Sequence, residues 1–414
     1  MKIKLDNYRQ KSLFTEAINI TFIIYALLLP FSIAFSIFTG PYVLFGLWLL
    51  EGNWEQKRKI IKKSKPAIFL ILFLFFNILS LLWSDDIKEG IHNLKYYFAI
   101  TSIFVIANTS LKKEYIKIII SSFLVSMFVS EVILYGIYFE LWSTSRGDPS
   151  NPSPFMHHVH YSLFLSTTII VLFWRIFKEK DSLKVKIIES IFLISTFINL
   201  FLNVGRTGQV SFIFASIIFT LVYFRAKIKY IFILFLFLSS IFFIAYNLST
   251  NFHKRVHEGI SNINDMKSGN FNTSWGARVL MKQEGFKIVQ KSPIIGFGIG
   301  DDKSAIRNNI NNNILSKKNP ILKKISHIHD QILQIMIQTG IVGTLLFIIF
   351  IISIFREKYS DHLTKSILFS ILSLFIIAFF IDTPIRGFSS ALFGFLVGMF
   401  VALAKDENDK IRNS

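Results

Sequence analysis

The chain has 414 residues, of which 52% are hydrophobic and 46 are phenylalanine, and its formal net charge is +19. Its mean hydropathy of +0.51 excludes an ordinary water-soluble domain and indicates a polytopic membrane protein. The absence of cysteine excludes a disulfide framework, a thiolate nucleophile and a cysteine-based metal site. Because the positive charge falls mostly in short clusters between apolar runs, it predicts cytoplasmic loops and contacts with membrane lipids, and no nucleic-acid partner.

Apolar runs of about 20 residues are long enough to cross a bilayer, and the chain contains about twelve runs that approach this length. The first one follows a basic N-terminus and has no small-residue cleavage site behind it, which predicts an uncleaved helix. The predicted spans lie near residues 17–38, 41–50, 67–83, 96–109, 116–140, 159–177, 187–203, 209–225, 229–247, 329–355, 364–381 and 387–404. Lys and Arg are concentrated in alternate loops, which predicts that both termini are cytoplasmic.

These spans divide the chain into nine N-terminal helices over 1–247, a large external loop over 248–328, three C-terminal helices over 329–404 and a cytoplasmic tail over 405–414. The external loop is basic, and loops longer than about 60 residues escape the positive-inside rule. A basic external segment beside the membrane suits an anionic lipid or a phosphate ligand.

Two local structures are predicted inside the external loop. Residues 278–290 carry apolar side chains at helical spacing with charged ones between them, which predicts an amphipathic helix at the membrane interface, with Ser274 as its cap. The following segment, SPIIGFGIGDD, contains Pro293 and three glycines, and it predicts a compact turn.

His329 is the strongest candidate catalytic residue. It lies where the polar loop gives way to the apolar helix of the tenth span, and ionisable groups at such a position are functional candidates by default. An imidazole is the side chain best suited to act as a general base near neutral pH. The structural alternative is a histidine that only caps the helix at the interface. His327 is predicted to support His329 or to be incidental.

Arg206 and Arg278 are the candidate anion-binding residues. A guanidinium group matches phosphate oxygens well, and two arginines and a histidine on one membrane face suit a diphosphate ligand. Gly205 and Gly208 flank Arg206 and would let a ligand approach the backbone closely. The alternatives are that Arg206 reaches to lipid headgroups and that Arg278 is simply solvated.

Other ionisable residues fall in the predicted external turns. Asp382 and Arg386 either belong to the site or pair with each other. His157, His158 and His160 have the composition of a metal cluster, but no carboxylate partner is evident, and the sequence therefore predicts no metal site.

Asp85 and Asp86 follow Trp83 at the end of a predicted span. A metal-dependent membrane glycosyltransferase would use such paired acids, but usually in its first external loop and not in its second. The pair is therefore predicted to mark a helix boundary.

Four motifs occur in a fixed order along the chain: LSLLWSDD, GRTG, an arginine-led helix that runs into KSPIIGFGIGD, and HDQILQIMIQTGIVG. Together they resemble the O-antigen ligase and polymerase superfamily over roughly residues 70–390. His329 matches the histidine of that family, and Arg206 and Arg278 match its two essential arginines. Asp330 stands where the family usually has Asn.

The resemblance implies an all-α polytopic membrane protein of GT-C-like architecture, with interfacial helices in one large periplasmic loop. It also implies a metal-independent, cofactor-free glycosyltransferase of the bacterial inner membrane. Its donor would be a glycan on undecaprenyl diphosphate, and its active site would face the periplasm. His329 would take the proton of the attacking hydroxyl, while the two arginines stabilise the diphosphate. The candidate supporting residues are His327, Asp330, Asp382, Arg386, His157 and His160.

Within this resemblance, the leading expectation is a ligase that joins the glycan to a lipid A–core acceptor. A polymerase would use a second lipid-linked glycan as its acceptor, and a protein O-oligosaccharyltransferase would use a Ser or Thr hydroxyl. A lipid-glycan transporter, from a different class, would show charges within its spans and related halves. Neither feature is visible in the sequence.

Overall fold

The computed structural model describes residues 2–144, 146–312, 322 and 327–405. These residues form helices and no β-strand, which confirms an all-α polytopic membrane protein. Residues 406–414 of the predicted cytoplasmic tail lie outside the described residues, as does most of the stretch from 313 to 326 in the predicted external loop.

The helices begin and end at polar or glycine-containing segments between the apolar runs. In chain order they are α1 (Lys2–Leu28), α2 (Gly40–Glu51), α3 (Trp54–Lys63), α4 (Lys65–Leu79), α5 (Ile87–Thr109), α6 (Lys113–Tyr138), α7 (His158–Lys178), α8 (Leu183–Leu202), α9 (Arg206–Tyr223), α10 (Ile228–Leu248), α11 (Thr250–Lys267), α12 (Ser274–Val289), α13 (Asp302–Asn312), α14 (Gln331–Arg356), α15 (His362–Ile381) and α16 (Phe388–Ala404). A π-helical turn, Phe35–Thr39, leads into α2, and a 3₁₀ turn, Ser80–Trp83, continues α4.

Eleven of the twelve predicted spans coincide with a helical segment of the structure, and the first, 17–38, is interrupted by a turn between Leu28 and the π-helical turn at Phe35. Within the described part of the chain, eight helices are long and apolar enough to cross a membrane, or nine if the bent unit Phe35–Glu51 and Trp54–Lys63 is one span. Leu13–Leu28 and Phe388–Ala404 are shorter apolar helices that correspond to the first and last predicted spans. The count of twelve and the division of the chain into four regions stay predictions.

Phenylalanine fills the interior where the C-terminal helices meet the N-terminal ones. The rings of Phe104 and Phe350 pack edge to face with centroids 5.7 Å apart, and Phe375 and Phe393 do so at 4.9 Å. Such ring pairs add to the hydrophobic stabilisation of each buried phenyl group. Through this core α16 packs on α5, α14 packs on α4 and α15 packs on α9. Each of the three C-terminal helices therefore contacts a different N-terminal helix.

Helix α14 is kinked at Gly340, and the glycine-rich turn over residues 293–301 is fitted into the kink. The turn donates from Phe297 N to Ile337 O and from Gly298 N to Gln338 O, both at 2.9 Å. In return, Ile341 N donates to Pro293 O at 2.9 Å. Gly340 has φ +61°, a conformation that favours glycine. The compact turn predicted from SPIIGFGIGDD therefore stabilises the kink, because it forms hydrogen bonds with the backbone groups that the kink leaves unpaired within the helix.

The same turn also holds the start of α5. The Asp301 carboxylate accepts from Asp85 N at 2.8 Å and from Asp86 N at 3.0 Å. The Asp86 side chain accepts from Glu89 N at 2.9 Å and caps α5. The paired acids after Trp83 thus mark a helix boundary, as the sequence predicted.

Helix α12 differs from the amphipathic interfacial helix predicted for residues 278–290. It begins at Ser274, and its cap is Thr273, whose hydroxyl accepts from Gly276 N at 3.1 Å. The predicted cap, Ser274, is therefore wrong by one residue. Its apolar side chains Leu280 and Ile288 are buried in a small core shared with α13 and α14, whereas Val279 and Phe286 are exposed, so the helix contacts protein with only part of its apolar surface.

Candidate active site

His329 and Asp382 form a hydrogen-bonded pair between the start of α14 and the end of α15. His329 Nδ1 lies 2.8 Å from Asp382 Oδ1, which also accepts from Thr383 N at 2.8 Å. A carboxylate can only accept here, so Nδ1 carries the hydrogen and the neutral imidazole keeps its free lone pair on Nε2. Asp382 thus fixes both the orientation and the tautomer of His329.

The Asp382 carboxylate stays ionised although only 5% of the residue is exposed. Burial by itself would raise its pKa, but the hydrogen bond from His329 and the positive charge of Arg278 lower the pKa well below its ordinary value. Arg278, on α12, places Nη2 3.4 Å from Asp382 Oδ2. The carboxylate therefore joins the predicted base to one of the two predicted arginines.

Arg206 is the first residue of α9, and its guanidinium lies 5.7 Å from the centre of the Trp275 ring. Its Nη1 is buried and has no hydrogen-bond partner among the described residues. The charges of Arg255 and Arg278 are close enough to repel it. A buried donor in a field of like charge is costly, and an anionic ligand would satisfy it.

Gly205 and Gly208 do not open the backbone to a ligand, and that sequence-based interpretation is wrong. A Cβ atom at Gly205 would overlap His158 O, and one at Gly208 would overlap Ser162 O. Gly208 N also donates to Ser162 Oγ at 3.0 Å. The two glycines let α9 pack closely on α7, which brings Arg206 beside the histidines at the start of α7.

Two further histidines next to the pair are held neutral. Burial lowers the pKa of His327 to about 3, and burial also lowers the pKa of His157. The rings of His327 and His329 have centroids 4.7 Å apart. The structure thus brings His327 and His157 to the site, where they add polar groups and no charge at neutral pH.

His160 has a packing role. Its Nδ1 lies 2.8 Å from Ser389 Oγ, and its ring fills the space above Gly387, where a Cβ atom would be 2.5 Å from Nε2. Of the three histidines of α7 and its cap, none belongs to a metal-ligating cluster within the described ranges. The group that could ligate a metal there consists of His327, His329 and Asp382, with one ligand atom from each lying within 4.8 Å of the others.

Asp382 and Arg386 do not pair with each other, which removes the structural alternative considered for them. Arg386 Nη2 lies 2.8 Å from Asp302 Oδ2 and 3.1 Å from Asn93 Oδ1. Asp302 is fully buried, and burial raises its pKa although Arg386 opposes the shift. Gln334 donates to the same carboxylate, while its Oε1 accepts from Ile328 N at 2.9 Å. Arg386 therefore supports the segment that carries His329.

Asp330 does not act on His329 by a hydrogen bond of its own. Its Oδ1 accepts from Leu333 N at 3.0 Å and caps α14, and its Oδ2 lies 3.0 Å from Lys282 Nζ. The carboxylate that contacts the imidazole is Asp382 instead. Because both Asp and Asn are good N-caps, the capping role explains why either residue fits at this position.

Sequence reasoning missed Asp302, Asn93, Gln334 and Lys282. Gln334 lies inside an apolar helix, where a polar side chain is expensive and therefore a signal, whereas Asn93 lies in the polar first turns of α5 and does not stand out. Asp302 directly follows the glycine-rich turn, and nothing in the sequence shows that it meets Arg386. These residues hold the loop before α14 in place.

Comparison with known families finds one match, which covers the middle part of the chain. The O-antigen ligase family model matches residues 191–348, a stretch that includes Arg206, Arg278 and His329. No curated protein matches the chain. With its helical, multi-pass architecture, this match supports membership of the chain in the O-antigen ligase and polymerase superfamily, a family of membrane glycosyltransferase-like enzymes.

Proposed function

We propose that the protein is an O-antigen ligase of lipopolysaccharide biosynthesis. It transfers a glycan from undecaprenyl diphosphate to a sugar hydroxyl of lipid A–core at the periplasmic face of the bacterial inner membrane. The observation that carries this proposal is the hydrogen-bonded His329–Asp382 pair, with Arg278 on the second carboxylate oxygen and Arg206 nearby with an unsatisfied guanidinium nitrogen.

His329 acts as the general base. With its Nδ1 hydrogen donated to Asp382, Nε2 is free to accept the proton of the acceptor hydroxyl. A sugar hydroxyl is too weak an acid to ionise beforehand, so the proton leaves while the oxygen attacks C1 of the donor sugar. The ionised Asp382 then stabilises the imidazolium that forms, much as the acid of a catalytic triad does.

Arg206 and Arg278 act on the leaving group. As the new C1–O bond forms, the bond from C1 to the diphosphate oxygen breaks and its electron pair stays on the diphosphate. Preorganised positive charge stabilises the charge that develops there, without a divalent cation. Attack by the hydroxyl opposite the departing diphosphate inverts the anomeric centre.

The prenyl chain of the donor has an apolar surface available beside Arg206. Helix α9 packs against α10, and α10 exposes Phe232, Phe235 and Phe243 along its length. In a membrane these side chains face lipid, so a prenyl chain could lie along them while its diphosphate reaches the start of α9.

Alanine substitutions at His329, Arg206 and Arg278 test the proposal. Each should lower the transfer rate of purified, folded enzyme by on the order of 10²–10³, because each removes a group that acts on the transition state. The matched controls lie at the opposite ends of the helices: His362→Ala on α15, and Arg225→Ala just past α9, both exposed. Wild-type rates in all three site variants, or equal losses in the controls, would contradict the assignment.

The fate of the glycan separates ligase from polymerase. The enzyme is supplied with preassembled lipid-linked donor and lipid A–core, and the products are resolved by mass. A ligase attaches the glycan to lipid A–core, whereas a polymerase, the second member of the same family, leaves longer chains on the prenyl carrier. The second outcome would overturn the ligase assignment and keep the roles of the three residues.

A further inference from the structure

Lys95 is a nearly buried cation that the proposed chemistry does not use. It lies on α5 about two turns after Ile87, and only 7% of the residue is exposed. Its Nζ lies 4.7 Å from the ring centre of Phe38 and 4.9 Å from that of Tyr96. His92 contributes a ring nitrogen at 2.9 Å. The ammonium is thus surrounded by neutral groups.

No carboxylate of the described residues lies within 4.0 Å of the Lys95 ammonium. Glu89 is the acid that attracts it, but Glu89 Oε1 already lies 2.8 Å from Lys303 Nζ and 4.0 Å from Arg386. The nearby Asp302 is engaged by Arg386. Positive charge therefore exceeds negative charge around Lys95, and a buried cation without a counter-ion is a costly arrangement.

The surface beside Lys95 is apolar and open to lipid. Phe38 is 44% exposed, Tyr42 is 49% exposed, and Ile87 and Ile91 are exposed near the start of α5. The rings of Phe38 and Tyr42 are stacked with centroids 6.4 Å apart. A cation next to a lipid-facing apolar surface, near the end of a membrane helix, suits the anionic headgroup of a lipid.

A chain of contacts links this surface to the catalytic pair through residues other than the donor arginines. Glu89 lies near Arg386, Arg386 binds Asp302, and Gln334 joins Asp302 to the backbone before His329. Arg206 and Arg278 instead belong to α9 and α12. Two separate groups of cationic residues, on different helices, are thus linked to the catalytic pair.

We infer that Lys95, assisted by His92 and Lys303, binds a phosphate group on the sugar headgroup of the acceptor glycolipid, whose acyl chains cover Phe38 and Tyr42. This inference rests on the proposed function for the identity of the lipid as the acceptor. The phosphate supplies the missing counter-ion, and the ammonium holds it as a point charge.

The test uses the full-length enzyme in nanodiscs of neutral lipid, with Lys95→Met, Lys95→Arg and the control Lys88→Met, an exposed lysine on the same helix. The acceptors are lipid A–core and the same glycolipid after enzymatic removal of its phosphates. Lys95→Met should raise the KM for the phosphorylated acceptor about tenfold, the effect of losing one charge-assisted contact, and leave the donor KM unchanged. Lys95→Arg and Lys88→Met should stay close to wild type, and the dephosphorylated acceptor should not distinguish wild type from Lys95→Met.

Equal KM changes for both acceptors, or none for either, would show that Lys95 is only a packing residue and would overturn the inference. Equal competition by phosphatidylglycerol vesicles or by inorganic phosphate would overturn the acceptor assignment, because the site would then take any anion. Should Lys95→Met fail to fold, Lys303→Met decides in its place, since Lys303 is 38% exposed and should show a smaller change in the same direction.

Binding of the phosphorylated glycolipid is also measured without donor. A wild-type enzyme that binds it, with Lys95→Met weakened and no transfer in any sample, would reject the proposed function and keep the lipid site. If transfer depends on His329 but Lys95→Met has the same effect with and without the acceptor phosphates, the proposed function is kept and the lipid site is rejected.

Discussion

Two neighbouring regions of α14 carry the most distinctive sequence motifs, and they differ in how completely their polar groups are satisfied. At the kink, the turn over residues 293–301 pairs with the backbone groups on both sides of Gly340. At the mouth of the helix, the site contains a buried Arg206 nitrogen that has no partner in the described part of the chain. The closed region satisfies its polar groups within the chain, whereas the open one leaves a buried donor for the anionic ligand that we propose.

Substitutions in the closed region should have the largest effect, which is a loss of folded protein. Gly296 and Gly340 have φ values of +70° and +61°, and at Gly296 an added Cβ would lie 2.5 Å from Gln338 O. Backbone strain alone costs about 1–3 kcal/mol per residue, and overlap with main-chain atoms adds to it. Gly296→Ala and Gly340→Ala should therefore give little monodisperse protein in detergent, measured by size-exclusion chromatography with thermal unfolding.

Two other glycines separate the effect of backbone strain from the effect of steric overlap. Gly52 has a positive φ but nothing within 4 Å of an added Cβ, so Gly52→Ala introduces strain alone. Gly46 has neither a positive φ nor a neighbour within 4 Å, so Gly46→Ala introduces neither effect. We expect a modest loss of stability for Gly52→Ala and a gain of up to about 1 kcal/mol for Gly46→Ala, which lies inside α2. If Gly296→Ala or Gly340→Ala unfolded no more easily than Gly52→Ala, the turn over residues 293–301 would not stabilise the kink in α14.

The open region should instead lose activity and keep its fold. Asp382→Asn can turn its amide toward His329 and favour the tautomer with hydrogen on Nε2, which cannot accept the proton of the acceptor. We expect kcat to fall on the order of 10²–10⁴ with little change in Tm. Asp361→Asn, at the other end of α15, keeps a good cap and should retain activity. A normal rate in Asp382→Asn would mean that Asp382 does not set the tautomer of His329.

The contrast also explains what the sequence could and could not predict. Apolar runs predicted the helices well, because each helix satisfies its own backbone in lipid and hydropathy is a local property. The residues at the helix mouths, His329, Arg206 and Arg278, were recognisable because charge in such places is rare. The structure brings these three to one region, with Asp382 joining His329 to Arg278.

What failed depended on partners far away in the sequence. Gly205 and Gly208 suggested a ligand-binding loop, yet they contact α7. Asp382 and Arg386 are four residues apart, yet they bind His329 and Asp302 respectively. Residues 278–290 showed an apolar face, of which α13 and α14 cover Leu280 and Ile288 and leave Val279 and Phe286 exposed. Local pattern shows that a surface needs a partner, and only the tertiary arrangement shows which partner it has.

A smaller effect is expected at Asp330, where this chain departs from the usual Asn of the family that it resembles. Asp330→Asn should keep the cap on α14 and lose only the pair with Lys282, which costs less than about 1 kcal/mol. Asp330→Ala loses the cap as well and should cost about 1 kcal/mol more. Thermal unfolding measures both. A rate change of about tenfold in Asp330→Asn at unchanged Tm would show that Asp330 tunes His329 and is not only a cap.

The smallest effect is expected from removing metal ions. If the arginines supply the positive charge at the leaving group, EDTA should leave the transfer rate of purified enzyme unchanged. The alternative is specific, because His327, His329 and Asp382 could together ligate an ion. Loss of activity restored by Zn²⁺ would make His329 a ligand and not a base, since two imidazoles and a carboxylate suit zinc. Restoration by Mg²⁺ alone would place the ion among oxygen atoms of the diphosphate, because Mg²⁺ prefers oxygen ligands. Restoration by either ion would exclude the metal-free mechanism, but only restoration by Zn²⁺ would also exclude His329 as the general base.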